Sequence, residues 1–367
     1  MNSTIPIIIP SYEPDERLCT LLKSLKVVLK NPIIIVNDGS SREYDKFFDE
    51  AKEILGEQGI ILKHEVNKGK GQALKTAFSY VSENMPSVVG AVTADSDGQH
   101  SPECIRKVID ALDENPSSLI MGVRDFDKEN VPKKSRFGNK LTSKVLASAS
   151  GVKVSDTQTG LRGIPMAFLK ELINVKGNRF EFETVMLLES AKKYPIAEVP
   201  IETIYDSKEN HQTHFNPFKD SIRIYAIILK RFLKFSICSL TSCAIDLIMF
   251  SIFCRIFKAH DIIGYVALAT AIARVFSCAF NFTINYIVVF KSDETIIKSL
   301  IKYASIAIVQ MALSAGLVSF FVAIIPHAIE VVVKMFVDTG LFFVNYYVQH
   351  KFVFKKQGKP KETSSEQ

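Results

Sequence analysis

The sequence predicts an α/β domain built on a mostly parallel sheet, followed by an all-α membrane domain of four helices. Two features of the chain predict this order. Up to about residue 231, short β-branched runs alternate with amphipathic segments in which charged and apolar residues mix, as in a water-soluble domain. From about residue 235 to residue 353, charges become scarce and the apolar runs grow long enough to cross a bilayer. A chain of 367 residues has room for two or three folding units.

The strands of the first domain are read at residues 5–9, 33–36, 60–62, 88–93 and 119–123, runs rich in Ile, Val and Leu with amphipathic segments between them. Such alternation places helices on both faces of a Rossmann-like sheet, and ligands bind beyond the carboxyl ends of its strands. Polar clusters follow four successive strands: Ser11-Tyr12-Glu13, Asn37-Asp38-Gly39-Ser40, Asn67-Lys68-Gly69-Lys70-Gly71 and Asp95-Ser96-Asp97-Gly98-Gln99-His100. Each alone reads as a turn or a helix entry. Together they line one crevice. Asp95 and Asp97 stand at i and i+2 on an irregular turn, which lets two carboxylates point at one hard cation. Mg²⁺ or Mn²⁺ takes few protein oxygens and shares the rest with phosphate or water.

Composition narrows the partners. The formal net charge is +6, and basic residues gather beside the apolar half at Lys219, Arg223, Lys230, Arg231 and Lys234. That placement suits a membrane surface rather than nucleic acid. The six cysteines contain no Cys-x-x-Cys pair, so neither a zinc site nor a disulfide framework is expected. Residues 5–9 are too short, and lack the basic start, for a signal peptide.

The motifs Ile-Pro-Ser-Tyr-Glu, Val-Asn-Asp-Gly-Ser, Asn-Lys-Gly-Lys-Gly and Asp-Ser-Asp-Gly-Gln-His resemble those of family 2 glycosyltransferases with the GT-A fold, in particular the polyprenyl-phosphate hexose synthases. The resemblance covers roughly residues 4 to 215. It implies that Pro10, Tyr12, Glu13 and Asp38 surround the nucleotide base and ribose, with Lys70, Asp95 and Ser96 also on the nucleotide sugar. Asp95, Asp97 and Gln99 would hold the metal that bridges the donor diphosphate. The family commonly has Ala at the position of Ser96, a departure that leaves the ligands in place. Arg124 and Arg136 would bind the acceptor phosphate and act with Asp97 in catalysis, and Lys133 or Lys134 could share the role of Arg136. Thr213 and His214, close to His211, fall where the family closes a loop over the donor, and are expected to contact phosphate.

Two further groups stay open at this point. Arg162, in Asp156-Thr157-Gln158-Thr159-Gly160-Leu161-Arg162, is either a phosphate ligand or the ion-pair partner of Asp156. Glu181 and Glu183 either cap a helix or recognise a substrate hydroxyl.

The implied reaction is metal-dependent, inverting transfer of a hexose from a nucleotide diphosphate sugar to polyprenyl (undecaprenyl) phosphate. UDP-glucose is the first donor expected, with UDP-N-acetylglucosamine or GDP-mannose as alternatives. A phosphate nucleophile is already anionic at neutral pH, so the protein must gather cations rather than supply a base. The chain has no tryptophan, which argues against a processive polymerase with a Gln-x-x-Arg-Trp motif. The rival of another class is a transporter or scaffold whose soluble half only binds nucleotide. A homo-oligomer stays open.

Apolar stretches at 235–257, 262–289, 303–325 and 329–348 each reach the roughly 20 residues that span a bilayer. Lys and Arg favour the segment before the first span, the loop 291–302 and the tail after Lys351, which puts both termini and the soluble domain in the cytoplasm. Ahead of the first span, Phe218, Ile222, Tyr225, Leu229 and Phe232 recur at helical spacing opposite Lys219, Arg223 and Lys230, as in a helix lying in the interface. The spans also repeat: Asn281-Phe282 with Val289-Phe290-Lys291 recurs 64 residues later as Asn345-Tyr346 with Val353-Phe354-Lys355, and Lys234-Phe235 corresponds to Lys302-Tyr303. This half resembles the GtrA family of four-span proteins, which implies a part in moving polyprenyl-phosphate sugars across the membrane. Asp246, Arg274, Lys334 and Asp338 fall at bilayer depth, either as a polar route for a phosphosugar headgroup or as internal ion pairs. The expected organisation is a catalytic domain over 1–216, a juxtamembrane helix over 217–234, a four-span domain over 235–355 and a polar tail over 356–367.

Overall fold

Apolar residues at consecutive positions, rather than at every second one, mark a strand covered on both faces. β1 (Ile7–Ser11) and β2 (Ile33–Asn37) are of this kind and are buried throughout. The computed structural model describes residues 4–126, 133–202, 219–260, 263, 265–292, 294–325 and 330–354. Its sheet is completed by β3 (Gly59–Lys63), β4 (Gly90–Thr93), β5 (Leu119–Arg124), β6 (Arg162–Pro165) and β7 (Ile196–Ile201), in the order β3-β2-β1-β4-β6-β5-β7. Every pairing is parallel except those of β6, which runs antiparallel to β4 and β5.

All five expected strands are present. β6 and β7 were not expected, and their composition explains why. β6 reads Arg-Gly-Ile-Pro, too short and too polar for an apolar run, and β7 carries Pro200. A proline cannot donate to a ladder, and β7 tolerates it as an edge strand.

Side-chain alternation divides the core into two layers. Ile8, Ile34 and Val36 face one side, against Ala73, Leu74, Phe78 and Val81 of the helix Lys70–Asn84. Ile7, Ile9, Ile33 and Ile35 face the other, against Leu18, Leu22 and Leu25 of the helix Glu16–Val28 and Ile105, Val108 and Leu112 of the helix Pro102–Glu114. Full burial of each such side chain contributes about 1.5–3 kcal/mol, so the two layers hold the strand ends rigidly. Ser101 caps the helix Pro102–Glu114 by accepting from the Cys104 N–H, with Pro102 in the first turn, and so fixes where the acidic loop ends.

The chain divides into two compact units, Met1–Ile228 and Leu229–Gln367. The helix Lys219–Ile228 belongs to the first, and Leu229 separates it from the helix Lys230–Ala259, so the segment expected as one juxtamembrane helix over 217–234 is broken. Ile224 and Ile228 turn into the first unit's core while Ile222 is 54% exposed. The arc turned into the soluble core is therefore Ile224 and Ile228, which find apolar partners there, and Ile222 of the expected interfacial stripe is left on the outer side. The Tyr225 hydroxyl meets Thr142 Oγ1 at 3.1 Å on the same side.

In the second unit, among the described residues, three helical stretches are long and apolar enough to cross a bilayer: Phe232–Ala259, Ala271–Val289 and Ile296–Val318. The fourth expected stretch forms the helix Glu330–Val348. The sequence repeat is a structural repeat. Each hairpin ends in a π-helical turn, Asn285–Val289 and Gln349–Val353, opened by matching amide bonds, Asn285 Nδ2 to Asn281 Oδ1 (2.8 Å) and Gln349 Nε2 to Asn345 Oδ1 (3.0 Å). Aromatic contacts pair by the same correspondence. Phe235–Tyr346 at 5.2 Å matches Tyr303–Phe282 at 5.5 Å, and Phe290–Tyr346 at 6.1 Å matches Phe354–Phe282 at 6.0 Å. Phe290 and Phe354 exchange places under this pseudo-two-fold relation and stack on each other at 5.0 Å.

Of the polar contacts in the spans, that of Asp246 with Arg274 recurs by position, though not by charge, as Ser314 with Asp338. Ser277 Oγ donates to Asp246 Oδ1 at 2.8 Å, with the Arg274 guanidinium 3.6 Å from Asp246 Oδ2. In the second hairpin Ser314 donates to Asp338, and Asp338 lies 64 residues after Arg274, the offset that carries Asn281 to Asn345. The side chain of Lys334 lies outside the described residues.

Candidate active site

The carboxyl ends of β1, β2 and β4 open into a cavity of about 560 Å³, at the point where the sheet order changes direction between β1 and β4. Pro10, Tyr12, Asp38, Lys70, Asp95, Ser96, Asp97 and Gln99 line it, as expected for four clusters at successive strand ends. Arg124 at the end of β5 lines it as well, joined by Arg17, Thr142, Gln158, Arg179 and Glu183. Among the described residues, Glu13 and Arg136 do not line it. Glu13 adopts left-handed backbone (φ 48°), with its N–H donating to Ser40 Oγ, and Arg136 is half-buried on the helix Lys133–Ser150. The side chain of Lys134, and Thr213 and His214 entirely, lie outside the described residues.

Asp38 is 2% exposed and organises the next loop. It accepts the backbone N–H groups of Lys68 (3.0 Å) and Gly69 (2.7 Å) and contacts His64 Nδ1 at 2.7 Å, while His64 Nε2 meets Thr76 Oγ1 at 2.9 Å. The loop it holds delivers Lys70, whose ammonium bridges Asp95 Oδ1 (2.7 Å) and Glu183 Oε1 (2.9 Å). Burial alone would raise the Asp95 carboxyl, but the charge of Lys70 and the neighbouring His100 hold it well below the usual carboxylate range. Asp97 behaves oppositely. Burial and then the charge of Asp95 push it up, against the hydrogen bond from the Gln99 N–H.

That contrast is the test for a cation. Two carboxylates share one wall closely enough that one raises the other, which is the arrangement a divalent ion would relieve. Among the described residues no three His, Cys, Asp or Glu side chains converge as a closed cage. A two-carboxylate site of this kind fits Mg²⁺ or Mn²⁺, which leaves coordination positions for phosphate and water.

Gly160 seats Asp95. A Cβ at Gly160 would overlap both carboxylate oxygens of Asp95, and the Gly160 carbonyl accepts from Thr93 Oγ1 at 2.7 Å, so the backbone cannot retreat freely. Gly160→Ala is expected to cost about 1–3 kcal/mol as overpacking while lowering activity more than tenfold, because the side chain that must move is Asp95. A thermal melt beside a transfer assay checks this, and a fully active Gly160→Ala protein would contradict the seat.

The arginines divide differently from expectation. Arg162, 1% exposed, gives its donors to carbonyl oxygens: Nε to Thr159 (2.9 Å) and Nη1 to Glu183 (2.7 Å). Neither phosphate binding nor an ion pair with Asp156 describes it. Asp156 is instead held by Arg124, Nε to Oδ2 at 2.7 Å and Nη2 to Oδ1 at 3.1 Å. Glu181 Oε1 reaches back from the first residue of its helix to accept the N–H groups of Asn178 and Arg179 in the preceding turn, whereas Glu183 faces the cavity. His64 and the Arg124–Asp156 pair gave no signal in the sequence, since a lone histidine after a strand and two charges 32 residues apart carry no pattern.

The fold and the site define a GT-A glycosyltransferase carrying a helical membrane unit. Residues 7–173 match the model of glycosyl transferase family 2, and residues 235–354 match that of the GtrA/DPMS transmembrane domain. A UDP-N-acetylglucosamine–dolichyl-phosphate N-acetylglucosaminyltransferase of Methanococcus voltae is 31% identical over 220 residues, 56% of this chain and 87% of its own length. The chain therefore belongs to glycosyl transferase family 2. A dolichol-phosphate mannosyltransferase of Pyrococcus furiosus is 27% identical over 260 residues, covering 66% of this chain and 70% of its own. A dolichyl-phosphate beta-glucosyltransferase of Saccharomyces cerevisiae is 26% identical over 225 residues, covering 54% and 66%.

Proposed function

We propose that this protein transfers a hexose from a nucleotide diphosphate sugar to polyprenyl phosphate, with inversion, using a divalent cation. The observation that carries the reading is one cavity in which the Asp95–Asp97 carboxylate pair stands among Lys70, Arg124 and Arg179. Carboxylates for a cation and cations for phosphates are what a reaction between a diphosphate donor and a phosphate acceptor needs. Asp95, Asp97 and Gln99 would hold Mg²⁺ or Mn²⁺, which when bound stabilises the diphosphate leaving group. Pro10, Tyr12 and Asp38 bound the part of the cavity proposed for the nucleoside. No side chain need take a proton from an anionic nucleophile.

We read the membrane unit as four spans with both termini and the catalytic domain cytoplasmic. The GtrA/DPMS match over 235–354 and the distribution of Lys and Arg support this. The Asp246–Arg274 contact supports an anchoring role, in which the charges fix hairpin packing.

UDP-glucose is the donor that the resemblance suggests first, while the relatives' names include N-acetylglucosamine, mannose and glucose. Purified full-length protein in detergent, given polyprenyl phosphate, Mn²⁺ and labelled UDP-glucose, UDP-N-acetylglucosamine or GDP-mannose, should form a labelled lipid with one donor at least tenfold faster than with the others. No labelled lipid from any donor would refute the proposal.

A further inference from the structure

Among the described residues four cations line the cavity: Arg17, Lys70, Arg124 and Arg179. Three of them are held by carboxylates. Arg17 pairs with Asp15 at 2.8 Å, Lys70 bridges Asp95 and Glu183, and Arg124 is bidentate on Asp156. Arg179 is the exception, since its guanidinium meets no carboxylate among the described residues.

Its main chain is nonetheless fixed. The Arg179 N–H donates to Glu181 Oε1 at 3.2 Å, and the Asn178 N–H donates to the same oxygen at 3.1 Å. Its stem packs on Gly69, where φ is +96° and an added Cβ would run into the Arg179 Cγ and the Asn178 carbonyl. The Asn178 carbonyl in turn accepts the Gln72 N–H of the helix that starts at Lys70. A side chain anchored at its base, beside the loop that carries Lys70, and open at its charged end is built to meet something that enters the cavity.

We propose that Arg179 binds a phosphate group of a substrate in this cavity. The inference rests on the function proposed above, whose two substrates both bring phosphate. A guanidinium presents parallel N–H donors that match phosphate oxygens, and it retains its charge at any working pH. Arg17, Lys70 and Arg124 contribute less net attraction because each already faces a carboxylate. The phosphate could come from the donor diphosphate or from the acceptor lipid, and the two sources separate by experiment.

Two binding measurements on full-length protein in detergent make the test, neither of which depends on turnover. One titrates UDP and GDP in the presence of Mn²⁺, and the other titrates a short-chain polyprenyl phosphate. Arg179→Ala should weaken one of them by about ten- to a hundredfold, the range of a charge-assisted hydrogen bond. Weaker nucleoside diphosphate binding identifies the donor, and weaker lipid phosphate binding identifies the acceptor. Arg179→Lys should recover part of the loss, which a purely structural role would not produce. An Arg179→Ala protein that binds both within twofold of wild type overturns the proposal, as does a wild-type protein that binds neither. Wild-type binding without transfer from any sugar donor would instead count against the proposed function and leave this result to stand.

Discussion

Asp97→Ala should abolish sugar transfer, by at least about a thousandfold or roughly 4 kcal/mol of transition-state stabilisation, without destabilising the protein. The two halves of this expectation have one cause. Asp97 is pushed up by burial and by the adjacent charge of Asp95, so the cation-free fold gains nothing from ionising it. Removing the carboxylate removes that repulsion, and the thermal midpoint should stay level or rise. A divalent cation seated between the two carboxylates changes the balance. Wild-type protein should therefore gain thermal stability when Mn²⁺ and a nucleoside diphosphate are added together, and Asp97→Ala should not. Chelation of the metal should reproduce the variant's loss of transfer in the wild type. An Asp97→Ala enzyme running at full rate would end the metal reading.

The acidic motif was legible because it sits directly after a strand whose residues are uniformly apolar. Residues 90–93 are buried at every position, and such a run needs no partner sequence to be recognised. The membrane repeat was legible for a related reason. Phe290 and Phe354 recur at one offset and meet each other in space, so the pattern in the chain is the pattern of the packing. What the sequence did not disclose is which charges meet. Arg124 and Asp156 are 32 residues apart, on a strand end and on the loop before β6, a strand that itself has no apolar run. Nor could sequence tell that Arg162 would bond to carbonyl oxygens while Arg124 took the acid written six residues before Arg162. Such pairings are set by how the sheet order folds the chain back, and only the tertiary structure holds that information.

This pairing decides what an arginine substitution can report. Asp156 is 0% exposed and the Arg124 side chain 18% exposed, so Arg124→Ala strands a buried carboxylate. Breaking a buried pair in this way costs about 3–5 kcal/mol, and the N–H of Gln158, which still reaches Asp156 Oδ1 at 3.0 Å, should bring the loss toward the lower end. The single variant is thus expected to melt roughly 10 °C lower, and any change in its kinetics would be confounded by that loss. Arg124→Gln/Asp156→Asn removes both charges while keeping polar side chains of similar size. We expect it to recover most of the stability, because no charge is left unpaired. We further expect its KM for polyprenyl phosphate to stay within about threefold of wild type, under about 0.7 kcal/mol, because Asp156 already neutralises the guanidinium that the substitution removes. A double variant that is stable but needs tenfold more polyprenyl phosphate would instead restore to Arg124 the phosphate-binding role that the family resemblance implies. The ion pair would then serve to orient the arginine rather than to satisfy it.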